Sequence, residues 1–189
     1  MPLQIDIIRA MNKVIQFFSY EQCYQYYTKR IMNIRQAKIH GETILAKPVL
    51  MVAIIDGIEA NVFSNNQFII NDWLEGRYKM LMSQYAKESQ FENKTGIEKP
   101  FWHLESDGFW HLNCPGDHHR KSRTPSLAWL KENVEYAYFD EALWILLQNK
   151  VWRIKLRDYI IEHKLTDDLW SGMKAAEGFG IIAALLLVA

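Results

Sequence analysis

Pro100-Phe101-Trp102-His103-Leu104-Glu105-Ser106-Asp107-Gly108-Phe109-Trp110-His111-Leu112 is the stretch on which the fold turns. Trp-His-Leu stands in it twice, eight residues apart, on either side of Ser106-Asp107-Gly108. Asp-Gly supplies the positive-φ residue of a tight turn, and aromatic residues suit a half-buried pleated surface. Alternation places Trp102 and Leu104 on one face and offers Trp110 and Leu112 as their partners on a returning strand. The stretch predicts a β-hairpin over residues 99–113, clamped onto a helical core.

The surrounding chain is patterned for helices. Residues 3–18 carry Ile5, Ile8, Ile15 and Phe18 at amphipathic spacing. Residues 20–34 hold Tyr20, Tyr24, Tyr26 and Tyr27, with Lys29 and Arg30 near their end. Those rings predict buried amphipathic packing, with base stacking as the alternative. Pro48 opens an almost wholly apolar helix reaching Glu59, the expected centre of the core. Residues 61–71 read as a loop with a short extended piece, and Asn71 or Asp72 caps a helix from Trp73 to about Ala86. Thr124 and Pro125 pair as cap and first residue of a helix carrying Leu127, Trp129, Leu130 and Val134. Asp140-Glu141 opens the longest helix, with Leu143, Leu147, Ile154, Tyr159 and Ile161 among its apolar residues, and Thr166-Asp167-Asp168 starts a last one. The expected fold class is mainly α (α+β), a compact helical domain with one β-hairpin. Residues 1–165 form the domain and 166–189 a C-terminal helical tail.

A chain of 189 residues, 49% hydrophobic and 13% aromatic, can bury a real core and is not disordered in type. Lys and Arg total 22 and Asp and Glu total 22, so a polyanion can be met only by a local basic patch. Two such patches stand out. The first fifty residues carry Arg9, Lys13, Lys29, Arg30, Arg35, Lys38 and Lys47 against Asp6, Glu21 and Glu42, and a second cluster runs His118-His119-Arg120-Lys121-Ser122-Arg123. Cys23 and Cys114 are the only cysteines, and Met1-Pro2-Leu3-Gln4-Ile5-Asp6 lacks the layout of a secretion signal. A reduced, cytoplasmic compartment is expected. The apolar run Phe179–Ala189 falls short of the roughly 20 residues that span a bilayer, so no membrane partner is expected.

Candidate chemistry gathers at two prolines. Lys47 precedes Pro48, and Arg123-Thr124 precedes Pro125. The first turn of a helix leaves amides unpaired under a positive dipole, which favours a phosphate there. Lys47 adds one charge to that turn, while Arg120, Lys121 and Arg123 form a loop able to track a nucleic-acid backbone. Asp117-His118-His119 looks like the opening of a ββα-metal nuclease, but residues 124–163 read as helix, not as the hairpin and helix on which such a core carries its further Asn and His. Cys114 with His118 and His119 lacks a second cysteine pair at zinc-ligand spacing. No nucleophile elbow, phosphate loop or dinucleotide fingerprint occurs.

Lys47-Pro48 before an apolar helix, a polar connection, and then Pro100-Phe101-Trp102 leading through Asp107-Gly108 to Trp110 form a pattern. It resembles the N-terminal half of prokaryotic restriction endonucleases of HNH type, the half that is a DNA sulfur-binding domain recognising phosphorothioate-modified DNA. The resemblance follows the order of elements over roughly residues 5–160 and is specific at Lys47-Pro48 and at Pro100 to Leu112. It implies a sulfur pocket built from Lys47, Lys99, Pro100 and His103, with Ala46 before Lys47. Sulfur in place of a non-bridging oxygen is larger, more polarizable and a poorer hydrogen-bond acceptor. A dent lined by a Pro ring and aliphatic carbons therefore accepts it more cheaply than a hydrated oxygen, with a cation at the edge for the remaining charge.

Four positions depart from the family pattern: Ala46-Lys47 stands where a His-Arg-like pair is usual, Lys99 where a Tyr is, and His103 where a small residue is. Lys lacks the bidentate fork of Arg, so it holds a phosphate more loosely. The resemblance implies a DNA-recognition domain of a restriction-type defence protein that contacts DNA through Lys47, Lys99, Pro100, His103, Arg120, Lys121 and Arg123. No nuclease core and no cofactor are expected in this chain. Double-stranded DNA, phosphorothioate-modified, is the expected partner, with a homodimer or a separate nuclease as further ones. A metal-dependent HNH-like endonuclease on Asp117, His118 and His119, and a protein-interaction module docking through the apolar tail, are the alternatives.

Overall fold

The apolar run after Lys47 becomes a helix, Ala46–Glu59, in which Ala46, Pro48, the whole of Val49–Ile55, Gly57 and Ile58 are buried. Such a helix, apolar on every side, is stable only when surrounded. In the computed structural model, which describes residues 17–39, 41–85, 95–115 and 124–166, it is surrounded. This is α2, preceded by α1 (Tyr20–Met32) and a short antiparallel pair, β1 (Lys38–Ile39) and β2 (Glu42–Thr43). After it come α3 (Asp72–Tyr85), α4 (Glu98–His103), a single 3-10 turn over Leu104–Asp107, and β3 (Trp110–Asn113). Then follow α5 (Leu127–Asn133), β4 (Tyr136–Phe139), α6 (Glu141–Gln148), α7 (Lys150–Ile160) and a closing π turn, Ile161–Leu165. α2 packs on α3, α4, α6, α7 and the π turn, while α1 packs on α6 and α7. Each fully buried Val, Leu or Ile contributes about 1.5–3 kcal/mol, so α2 is the largest single source of stability.

The mainly α fold with a small antiparallel sheet is as expected, but its strand pairing is not. Pro100 to Leu104 does not form a strand. Glu98–His103 is helical with Pro100 in its first turn, where a missing N–H costs nothing. Asp107-Gly108 ends that helical stretch. Gly108 takes φ +78, the left-handed residue that stops a helix rather than the centre of a hairpin turn. The strand on the far side exists, and its partner is β4, with Trp110 opposite Phe139 and Leu112 opposite Ala137. β4 lies within the stretch 124–163 that the sequence reads as helix, because Tyr136-Ala137-Tyr138-Phe139 is too short to show a period.

The two Trp-His-Leu units therefore do different work. Trp110 is fully buried, stacked on Phe68 at 5.6 Å and donating its indole N–H to the Phe101 carbonyl at 2.9 Å. Trp102 is half-buried, edge-on to Trp129 at 5.9 Å. Other boundaries also shift. Ser126, not Thr124, caps α5 by accepting from the Trp129 amide. The expected longest helix breaks at Asn149, whose side chain caps α7 while Arg153 donates to the Leu147 carbonyl left open at the end of α6. Asn71 caps α3 by accepting from the Leu74 amide, as the sequence suggests. The tyrosines of α1 pack inward as expected, with Tyr24 and Tyr27 buried. The helix expected over 3–18 and the helical tail fall almost wholly outside the described residues.

Gly57 marks the tightest contact of α2. A Cβ there would sit 2.6 Å from two ring carbons of Phe63 and 3.1 Å from Trp73. Phe63 is wedged edge-on between Phe68 and Trp73, so its ring has nowhere to retreat. Gly57→Ala gains about 1 kcal/mol of helix propensity and loses about 1–3 kcal/mol to overpacking. A lower urea midpoint is the expected outcome, and a higher one would show that the ring can move.

Candidate nucleic-acid interface

The start of α2 lies near the end of α4, where His103 feels the Lys47 charge, and these two packed helices carry four of the seven predicted contact residues. Lys47 lies in the first turn of α2 with its side chain only 12% exposed. Its ammonium donates to Asp107 Oδ2 at 2.6 Å. The same carboxylate accepts the Arg35 backbone N–H on Oδ1 at 3.0 Å, so Asp107 ties the start of α2 to the segment after α1. Lys47 is therefore not a bare cation awaiting a phosphate. Two of its three donors remain uncommitted among the described residues.

Lys99, Pro100 and His103 share α4. Lys99 is exposed, Pro100 is buried and His103 is exposed. His103 Nε2 lies 2.6 Å from Thr124 Oγ1, which explains why Thr124 is not the helix cap. Burial first, and then the nearby Lys47 charge, lower the His103 imidazole below its ordinary range. Its neutral form is therefore favoured, and it offers a flat ring with its polar edge occupied by Thr124. Arg120, Lys121 and Arg123, together with Asp117, His118 and His119 of the nuclease alternative, lie outside the described residues. Among the described residues no group of three His, Cys, Asp or Glu side chains could hold a metal ion. No helix there is long and apolar enough to cross a membrane.

Sequence reasoning missed Asp107 as the anchor of Lys47, treating it only as turn chemistry. The available signal was Lys47 itself, the lone charge on the first ten residues of an apolar helix, which needs a counterion once half-buried. It also left Arg30 outside the site. Arg30 donates to the Gly108 carbonyl at 3.0 Å and lies over the Tyr26 ring at 5.0 Å. A second acid, Asp140, joins Tyr27 at 3.0 Å and His111 at 2.7 Å, and so clamps α1 and β3 to the start of α6.

These features define a helical domain in which Asp107 holds Lys47 at the start of α2. The family model for the ScoMcrA-like DNA sulfur-binding domain matches residues 26–173, and the chain belongs to that family. Among solved structures it is similar to the sulfur binding domain of ScoMcrA complexed with phosphorothioated DNA. The TM-score is 0.55 at 21% identity, covering 73% of this chain and 86% of that one. It is also similar to the sulfur binding domain and SRA domain of ScoMcrA complexed with phosphorothioated DNA. There the TM-score is 0.53 at 20% identity, covering 71% of this chain and 41% of that one. At these identities the likeness is one of fold. No curated protein matches the chain.

Proposed function

We propose that this chain is the DNA-reading part of a cytoplasmic restriction-type defence protein and that it recognises phosphorothioate-modified double-stranded DNA. The observation that carries the reading is the family match over residues 26–173. In this reading residues 1–165 are the recognition unit and 166–189 a tail. Lys47 holds a backbone phosphate, while Pro100 and His103 form the apolar wall on which sulfur rests. Lys99, Arg120, Lys121 and Arg123 meet neighbouring phosphates. The neutral imidazole of His103 suits this arrangement, because a charged ring would draw in water and favour oxygen over sulfur.

Asp107 gives Lys47 a defined job. In free protein the carboxylate holds the ammonium in place, and an arriving phosphate shares it. Lys47→Ala is expected to weaken binding to every duplex and to make the slope of log affinity against log salt shallower by about 0.9. The measurement is a fluorescence-anisotropy titration in EDTA at several salt concentrations. Unchanged affinity and slope would remove Lys47 from the interface. Salt-insensitive binding by the unaltered chain would contradict DNA backbone recognition altogether.

A further inference from the structure

Beside the Lys47–Asp107 pair lies an open cleft of about 510 Å³, lined by Tyr26, Lys29, Arg30, Asn33, Arg35, Ser106 and Asp107. Three of those seven residues are cations and one is an acid. That acid, Asp107, is already engaged by Lys47 and by the Arg35 amide. Lys29 and Arg35 have exposed side chains, and among the described residues neither has an acidic partner. Arg30 is held differently. Its guanidinium is fixed on the Gly108 carbonyl and over Tyr26, so it is oriented before any ligand arrives.

The chain brings these groups together for a reason visible in its backbone. Lys29 and Arg30 end α1, Arg35 follows within one turn, and the Asp107-Gly108 stop folds back onto them. Arg30 contacts Gly108 and Lys47 contacts Asp107, so adjacent residues of one turn seat two cations side by side. Successive phosphates of one DNA strand advance about 3.4 Å along the duplex axis, and a row of cations on this scale can follow them.

We propose that the cleft is a second backbone-phosphate site of the same DNA interface. In it Lys29, Arg30 and Arg35 take the phosphates that neighbour the one at Lys47. The proposal rests on the DNA-binding reading above. The cleft reads charge alone, because sulfur selectivity is placed at Pro100 and His103. It contributes affinity to modified and unmodified duplexes alike.

The test is the double variant Lys29→Gln with Arg35→Gln, whose side chains make no ion pair among the described residues and whose fold is checked by thermal melting. The salt slope is expected to fall by about 1.8, or 0.9 for each lost phosphate contact, and low-salt affinity at least tenfold. The ratio between modified and plain duplexes is expected to stay as in the unaltered chain. Lys79→Gln with Lys150→Gln, exposed cations of α3 and α7, serves as the charge-matched control and is expected to leave the slope unchanged. An unchanged slope in the first pair, or an equal drop in the control pair, would overturn the cleft while leaving DNA binding standing. Failure of the unaltered chain to bind any duplex would overturn both.

Discussion

Asp56→Ala is expected to lower the unfolding free energy by about 3 kcal/mol, the largest effect of any single polar truncation in this domain. Asp56 projects from the last turn of α2 and is only 12% exposed. Its Oδ2 accepts from two nitrogens of Arg77 on α3, at 2.8 and 2.5 Å, and its Oδ1 accepts from Arg157 on α7 at 2.5 Å. One carboxylate thus joins three helices. Removing it leaves two guanidinium groups, each less than a third exposed, with only Asp158, 3.6 Å from Arg157, as a remaining counterion among the described residues. A fully buried pair broken in this way costs about 3–5 kcal/mol, and partial exposure of the arginines places this one at the lower end. For a chain of this length the melting temperature should fall by roughly 6–12 °C. Urea denaturation checks it. A change below about 1 kcal/mol would mean that water already screens the cluster. Asp56→Leu combined with Arg77→Met and Arg157→Met should recover most of the loss, since apolar packing can replace a buried ionic cluster.

His103→Asp is the second large effect, on binding rather than on folding. The side chain is exposed and its one hydrogen bond, to Thr124, is peripheral to the core, so the fold should survive. A carboxylate there is hydrated, lies near Lys47 and repels a phosphate, so duplex affinity should drop tenfold or more, about 1.4 kcal/mol. Any preference for sulfur should vanish with it. Binding unchanged in an anisotropy titration would place the DNA elsewhere. Pro100→Glu is a poorer probe than the sequence suggests. Pro100 is buried, and burying an unpaired carboxylate would destabilise α4 before it reported on sulfur.

The core helix was legible because burial on all sides leaves a mark that needs no partner to interpret. Val49 to Ile55 is apolar without a break, and only a surrounded helix can use such a run. The hairpin was misread because Asp-Gly serves two purposes. The same left-handed glycine closes a two-residue hairpin or stops a helix, and what decides is whether the preceding residues are strand or helix. Pro100, which favours a helix's first turn, held that information and was outweighed by the repeated Trp-His-Leu. β4 was invisible because a strand of four residues paired with one formed twenty-six positions earlier leaves no local trace.

The site divides along the same line. The candidate residues Lys47, Lys99, Pro100 and His103 follow from motifs at two prolines, and α2 packs on α4, so the helices that carry them meet. Asp107 lies 60 residues from Lys47, and Gly108 lies 78 from Arg30. Contacts at such separations depend on tertiary packing, so neither the anchored lysine nor the cationic cleft could be read from spacing.

The most direct test uses three matched duplexes: one unmodified, and two with a single phosphorothioate of opposite stereochemistry. Their affinities for the unaltered chain are measured side by side in EDTA. One phosphorothioate stereoisomer is expected to bind several-fold more tightly than the unmodified duplex, corresponding to about 1 kcal/mol from placing sulfur against an apolar wall. The other isomer, whose sulfur points away from that wall, should bind like plain DNA. Equal binding of all three duplexes would contradict sulfur recognition by this domain.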